Sequence, residues 1–409
     1  MNNSKHVFPR HKIIASILRG PVYLFFKLFF GYSVNKYNLK NNKPYLILSN
    51  HIGAYDPILI SLSFNVPIYY VASDHLFRLN FISKLLNFCF APIPIAKTSM
   101  DIKSIKSIKR VTAQKGCIGL FPSGNGSFNG KEAYITDSIG KLAKLLNIPI
   151  ILYNLDGLYF STPRWGKKRR RGFSTGQIVK ELSIEEVNQL PSDDLSKIII
   201  ESLKTDAYEF QNENMYSYKG SQNAMYLERV LYICPKCKTY ISMHSKKNIF
   251  YCDHCKNTVT FTDFGYFKAF DETTICFATI THWDEWQKQY ILERYKNDTL
   301  FTDDTPLYTD LNIDLFSCQY SKKNTFLANG IISLFSDRIE FQPTSSKKTT
   351  FFIEDIMEIQ AILGQTLQFT MRDGMLYETK SNQIYCATKY VHIINLIKSG
   401  GGVNGLFSI

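Results

Sequence analysis

The chain has 409 residues, 48 Lys and Arg against 35 Asp and Glu, a net charge of +13, and 45% hydrophobic and 14% aromatic residues. That composition excludes wholesale disorder and collagen-like or low-complexity sequence, and the length implies about two to four domains. No uninterrupted apolar run reaches the roughly 18–20 residues of a spanning helix, which argues against a polytopic membrane protein.

The positive balance calls for an anionic partner: a membrane surface, phosphate groups or nucleic acid. Of nine cysteines, four are grouped and Cys89, Cys117, Cys276, Cys318 and Cys386 are scattered. That usage points to a reducing compartment with a metal site, not a disulfide framework.

From the N-terminus, Ile13 to Tyr32 is strongly apolar but interrupted by Arg19, Gly20, Pro21 and Lys27, and no cleavage-site pattern follows. The expectation is a helix near Ile13–Leu18, a break at Gly20-Pro21 and a second helix from Val22. Its Phe-rich face would dip into the bilayer interface while His11, Lys12, Arg19 and Lys27 stay at headgroup level. Two helices packed on a core, or one spanning helix, are the alternatives. From Pro44 strands and helices alternate. Strands are expected at Tyr45–Leu48, Ile68–Ala72, Ile93–Ala96, Cys117–Phe121 and Ile148–Tyr153. Helices are expected at Pro57–Phe64, His75–Phe88, Asp101–Gln114 and Asp137–Leu146. Such alternation predicts an α/β domain with a mainly parallel sheet and flanking helices. After about Asn214 the pattern changes. A cysteine group occupies 230–262, and from about Tyr320 the chain reads as short strands closed by a helix at Thr388–Ser399.

Three loops carry possible chemistry. Ser49-Asn50-His51-Ile52-Gly53-Ala54-Tyr55-Asp56-Pro57 follows a strand and opens a helix. Asp56 and Pro57 would serve simply as a helix start. A turn through Gly53 could equally fold the Asp56 carboxylate onto one His51 nitrogen and leave the other as a base. Phe121-Pro122-Ser123-Gly124-Asn125-Gly126-Ser127-Phe128 also follows a strand. It is either an ordinary glycine turn or a source of backbone N–H groups for an oxyanion or phosphate. Lys97 ends a short strand and is a surface lysine or a phosphate contact.

Together these segments resemble the glycerolipid acyltransferase family typified by 1-acylglycerol-3-phosphate acyltransferases. Its N-H-x4-D block is matched by Asn50, His51 and Asp56. Lys97 stands where a basic residue, usually Arg, ends the second block. Phe121-Pro122-Ser123-Gly124-Asn125-Gly126-Ser127 aligns with F-P-E-G-T-R-S, and Ile148-Pro149-Ile150-Ile151 with the apolar fourth block. The likeness covers about residues 10–215. It implies that His51 takes a proton from an acceptor hydroxyl, that Asp56 orients His51, and that the hydroxyl attacks an acyl thioester of coenzyme A or acyl-carrier protein. Loop N–H groups would hold the oxyanion. The acceptor would be a lysophospholipid such as 1-acylglycerol-3-phosphate, bound by Asn50, Lys97 and Ser123 to Ser127. Ser123 and Gly126 replace the family's Glu and Arg, which leaves the acceptor headgroup open. It also keeps a non-catalytic lipid-binding adaptor as the alternative.

Arg164-Trp165-Gly166-Lys167-Lys168-Arg169-Arg170-Arg171 holds six cations in eight positions. It is either a solvated loop or a rim that binds lipid phosphate through Arg164, Lys167 and Lys168. Cys234-x2-Cys237 and Cys252-x2-Cys255, fourteen residues apart, have zinc-ribbon spacing. Four thiolates predict a structural zinc with no open position. The ribbon and the basic run give nucleic acid its only support, with little beyond Lys236, Lys238, Lys246 and Lys247. Residues about 322–400 loosely resemble PH-like or GRAM-type modules, which implies docking or a scaffold. The expected organisation is interfacial helices over 1–35, an acyltransferase domain over 36–215, a zinc ribbon over 225–265, a connecting region over 266–321 and a PH-like module over 322–409. The expected location is peripheral, on the cytoplasmic face of a membrane with anionic lipids.

Overall fold

Short aliphatic strands buried on both faces need helices on both sides, and that need organises the first half of the chain. The computed structural model describes residues 5–40, 43–73, 77, 81–95, 102–302, 304–318, 324–344, 347–362 and 364–402. It divides into two units, Met1–Pro163 with Arg169–Lys219, and Arg164–Lys168 with Gly220–Ile409.

The first unit runs α1 (Pro9–Phe30), β1 (Tyr32–Val34), β2 (Leu46–Ser49), α2 (Asp56–Ser63), β3 (Ile68–Ser73), α3 (Phe81–Phe90), β4 (Ile93–Ile95), α4 (Ile102–Ala113), β5 (Cys117–Leu120), α5 (Ser138–Leu146), β6 (Ile150–Asp156), α6 (Leu158–Ser161), β7 (Ser174–Leu182), α7 (Ile184–Gln189), α8 (Ser192–Leu203) and α9 (Ala207–Asn214). The sheet order is β1-β7-β6-β2-β5-β3-β4. Every pairing from β6 through β2, β5 and β3 to β4 is parallel, and only β6 with β7 is antiparallel. Leu46, Leu48, Ile118, Leu120, Ile150 and Leu152 form one core with Ile108 and Val111 of α4, Ile139 and Leu142 of α5, and Leu195 and Ile199 of α8. On α4, Ile108 and Val111 are buried, whereas Ile102 at its first turn is 72% exposed.

One expectation at the N-terminus is corrected. α1 is a single 22-residue helix through Gly20 and Pro21, long and apolar enough by length and composition to cross a membrane. Pro21 lacks an N–H but leaves the helix unbroken. The helix is docked at both ends. His11 Nδ1 bonds the Tyr69 hydroxyl at 3.0 Å. Phe26 and Phe30 pack on the Tyr55 ring at 5.4 and 5.5 Å between centroids. Ile13, Ile17, Leu24, Phe25, Leu28 and Phe29 are exposed.

The second unit opens with an antiparallel sheet, β8 (Met243–Lys246), β9 (Ile249–Cys252), β10 (Thr258–Phe261) and β11 (Phe267–Ala269), in the order β11-β10-β9-β8. α10 (Ile280–Lys296) follows. Then come β12 (Tyr308–Cys318), β13 (Thr325–Leu334), β14 (Arg338–Pro343), β15 (Thr349–Phe352), β16 (Ile356–Ile362), β17 (Thr366–Met371), β18 (Leu376–Ser381) and α11 (Thr388–Lys398). These strands form an antiparallel sheet ordered β15-β14-β13-β12-β18-β17-β16. One core cluster joins Tyr232, Ile291 of α10, Leu315, Phe341, Phe369 and Ile393 of α11.

The stretch 266–321 is therefore not a connector, and the C-terminal sheet starts at Tyr308 instead of 322. α10 escapes a periodicity test because its buried face carries Asp284, Gln287 and Lys288, with Lys288 Nζ 2.9 Å from Asp284. β12 escapes it because a bulge at Asn312, φ +55°, breaks the alternation between Asp310 and Ile313.

Candidate active site

β2 and β5 are adjacent and parallel, with Leu46 opposite Ile118 and Leu48 opposite Leu120. Their carboxyl ends therefore release the 50–55 and 121–128 loops side by side, the usual place for a site in an open α/β sheet. His51 begins the first loop and Asp56 ends it.

The Asp56 side chain does not cap α2. It turns back, and Oδ2 accepts the Ile52 N–H at 2.6 Å, the Gly53 N–H at 2.9 Å and His51 Nδ1 at 2.7 Å. Asp56 is fully buried, whereas the His51 side chain is 20% exposed. An ionised carboxylate only accepts, so Nδ1 carries the ring proton and Nε2 keeps its lone pair. Nε2 has no hydrogen-bond partner among the described residues. The His51 ring stacks on Phe121 at 4.5 Å, and Phe121 stacks on Tyr70 at 5.9 Å. The backbone is held too: the Ser127 N–H donates to the His51 carbonyl at 2.9 Å.

Several expected substrate contacts have other work. Asn50 is fully buried, and its side-chain amide donates to the Leu155 carbonyl at 3.0 Å and the Thr205 hydroxyl at 3.1 Å. Its Oδ1 accepts the Leu155 N–H at 2.8 Å. Asn50 is therefore corrected from a substrate contact to a tie between β2 and β6. Ser127 is buried and its hydroxyl accepts the Gly130 N–H at 2.9 Å. The Gly124 N–H is taken by the Phe121 carbonyl, which leaves the Asn125 N–H without an acceptor among the described residues. Gly124 is exposed at φ +67°, with nothing within 4 Å of where a Cβ would stand. Gly126 is buried, and Ser123 donates to the Asn125 carbonyl at 3.1 Å. Lys97 lies outside the described residues.

The basic run is divided between the two units. Arg164, Lys167 and Lys168 belong to the second unit. Lys167 Nζ lies 4.8 Å from the Tyr226 ring centre. Trp165 is fully buried, edge-on to Phe261. In the first unit, Arg169 covers the Phe29 ring at 4.4 Å and the Arg171 Nε donates to the Leu28 carbonyl at 2.9 Å, so both brace α1. Arg170 is buried on the Phe160 carbonyl.

Glu132 carries no motif and was not legible in the sequence. Its two carboxyl oxygens lie 3.1 and 3.2 Å from the His51 nitrogen. Burial pushes its pKa up to about 8 against the hydrogen bonds from Ser123 and His51. Asp156, at the end of β6, is pushed up to about 6 by burial. Glu132, Asp156, Asp206, Ser127 and Tyr159 line one small cavity.

In the second unit the four sulfurs of Cys234, Cys237, Cys252 and Cys255 lie within 4.8 Å of one another. Cys234 and Cys255 are 3.6 Å apart, and Cys237 and Cys252 3.7 Å. A tetrahedron with zinc–sulfur bonds of about 2.3 Å has edges of about 3.8 Å, so the set fits that ion. Two matching knuckles build it. The Lys238 N–H returns to the Cys234 carbonyl and the Lys256 N–H to the Cys252 carbonyl, with φ +62° and +60° at the two lysines. His244 pairs instead with Asp253 at 3.2 Å.

Residues 32–152, which include His51, Asp56 and the 121–128 loop, match the family model described as Acyltransferase. No curated protein matches the chain. Among solved structures, the 1-acyl-sn-glycerophosphate (LPA) acyltransferase PlsC from Thermotoga maritima is 16% identical with a TM-score of 0.39, over 50% of this chain and 79% of that one. A chain of the 8S snRNP assembly intermediate is 13% identical with a TM-score of 0.19, over 24% of this chain and 89% of that one. The C-terminal domain of an unknown protein from Leishmania infantum is 11% identical with a TM-score of 0.18, over 28% of this chain and 98% of that one.

Proposed function

We propose that this chain is a membrane-surface acyltransferase that moves a fatty acyl group from a thioester, acyl-CoA or acyl-carrier protein, to the hydroxyl of a lysophospholipid such as 1-acylglycerol-3-phosphate. The observation that carries the reading is the 2.7 Å contact between His51 Nδ1 and Asp56 Oδ2, inside the stretch that matches the acyltransferase model. Nε2 accepts the proton of the acceptor hydroxyl as its oxygen attacks the thioester carbonyl. Asp56 stabilises the imidazolium that forms. The tetrahedral oxyanion collapses with cleavage of the carbon–sulfur bond, and Nε2 returns the proton to the departing thiolate. The Asn125 N–H supports the oxyanion role of the loop.

The exposed apolar side of α1 serves as the anchor to the interface of an anionic membrane. Its docked ends favour lying along the surface over leaving the domain to span it. Nine free cysteines support a cytoplasmic face. The four grouped cysteines hold a structural zinc, which takes no part in the chemistry. The seven-stranded sheet with its closing helix supports a PH-like docking module.

The test is transfer of labelled acyl groups from acyl-CoA and acyl-carrier thioesters to a panel of lysolipids, with His51→Ala as control. A diacyl product that requires His51 is expected. No product from folded protein with any donor overturns the reading in favour of a lipid-binding adaptor.

A further inference from the structure

The geometry points to Glu132 as the positioning residue of the His51 base: both its carboxyl oxygens lie within hydrogen-bond distance of the His51 backbone N–H, at 3.2 and 3.1 Å. The inference rests on the reading of His51 as the base. His51 is fixed everywhere except at Nε2. Asp56 holds Nδ1, Phe121 holds the ring face, Ser127 holds the carbonyl, and Glu132 holds the N–H.

Glu132 is itself anchored. Its N–H donates to the Thr205 carbonyl at 3.0 Å, and neighbouring Lys131 forms an antiparallel backbone β-bridge with Asp206. The Thr205 hydroxyl receives Asn50, the residue before His51. One point after α8 therefore supports both the base and its clamp. The titratable groups that face Glu132 are His51, Asp56, Asp156 and Asp206, with Lys131 on its own segment. Burial, with the Asp56 charge adding to it, favours a neutral Glu132 below about pH 8. In that form one oxygen accepts the His51 N–H. Ser123 Oγ donates to the Asn125 carbonyl at 3.1 Å.

Two variants and two readouts test this. Glu132→Ala should lower kcat about 10–100-fold with little change in KM, because a base displaced by a fraction of an ångström loses alignment more than affinity. Glu132→Gln, which keeps the acceptor and the donor, should restore most of that loss. Wild-type activity should fall above about pH 8 as Glu132 ionises, and this alkaline limb should vanish in Glu132→Gln. Independently of turnover, the His51 amide in [15N]histidine-labelled protein, assigned by its loss in His51→Ala, should titrate near pH 8 and stop doing so in Glu132→Gln.

Full kcat in Glu132→Ala, or a His51 amide that ignores both pH and the substitution, overturns the clamp. If folded wild-type protein transfers no acyl group, the base reading fails, and the amide titration alone still decides whether the clamp exists. If Glu132→Ala does not fold, the pH profile and amide signal of Glu132→Gln decide it.

Discussion

His51 shows how much of a reactive side chain is set by its surroundings. A free imidazole in a loop samples many rotamers and both tautomers, whereas here the ring is held by one carboxylate and one aromatic face. Replacing it by Ala should reduce acyl transfer about 10²–10⁴-fold, the usual worth of a positioned base, with the folded content unchanged by circular dichroism. Near-wild-type turnover would remove His51 from the mechanism. The pairing with Asp56 was legible from a five-residue spacing across a glycine turn. The role of Glu132 was not, because its partner is a backbone N–H, which every residue type supplies, and its support comes from Thr205, far along the chain. Asn50 misleads for the related reason that a motif position can serve the loop and not the ligand. The cysteine knuckles form a constellation of another kind, four sulfurs within 4.8 Å of one another. One zinc per chain is expected by elemental analysis of natively purified protein. Cys234→Ser should lose that metal and destabilise the β8–β11 sheet. Protein purified natively without zinc would refute the assignment.

Elements were readable where one face was apolar at a regular period. β2, β5 and α5 fall within a residue or two of expectation because Leu, Ile and Ala recur as parallel sheets and amphipathic helices require. α10 and β12 failed the same test for opposite reasons, a helix that buries polar groups and a strand interrupted by a bulge. Gly20-Pro21 reads as a break, whereas α1 runs through both residues as one helix. Its role as the anchor has a test. Ile17 is 67% exposed and Leu24 55%, so neither supports the core. Replacing both with Asp should lower partitioning onto anionic lipid vesicles at least about tenfold while leaving zinc content unchanged. Unaltered sedimentation with vesicles would mean that α1 is not the anchor.

At the scale of the whole molecule the division into an α/β half and a β-rich half was legible from the change of grammar after about Asn214, and the structure places the boundary at Lys219 and Gly220. What the pattern did not show is the excursion at Arg164–Lys168, which a charge-rich run disguises as a solvated loop. Trp165 within it is fully buried, rests edge-on against Phe261, and offers its carbonyl to Arg229 at 3.1 Å. Trp165→Ala should therefore lower the urea midpoint of the second unit more than that of the first, at a cost of about 3–5 kcal/mol for an emptied aromatic site. Equal shifts in site-specific probes of the two units would contradict this.

The same excursion bears on how the protein is made. A chain leaving the ribosome presents residues 1–219 well before Arg229 and Phe261 exist outside the exit tunnel. Until then Trp165 lacks the ring contact with Phe261 and the bond from Arg229 to its carbonyl. A nascent chain halted near residue 219 thus lacks two contacts that Trp165 makes in the finished protein, the kind of incomplete core that chaperones bind.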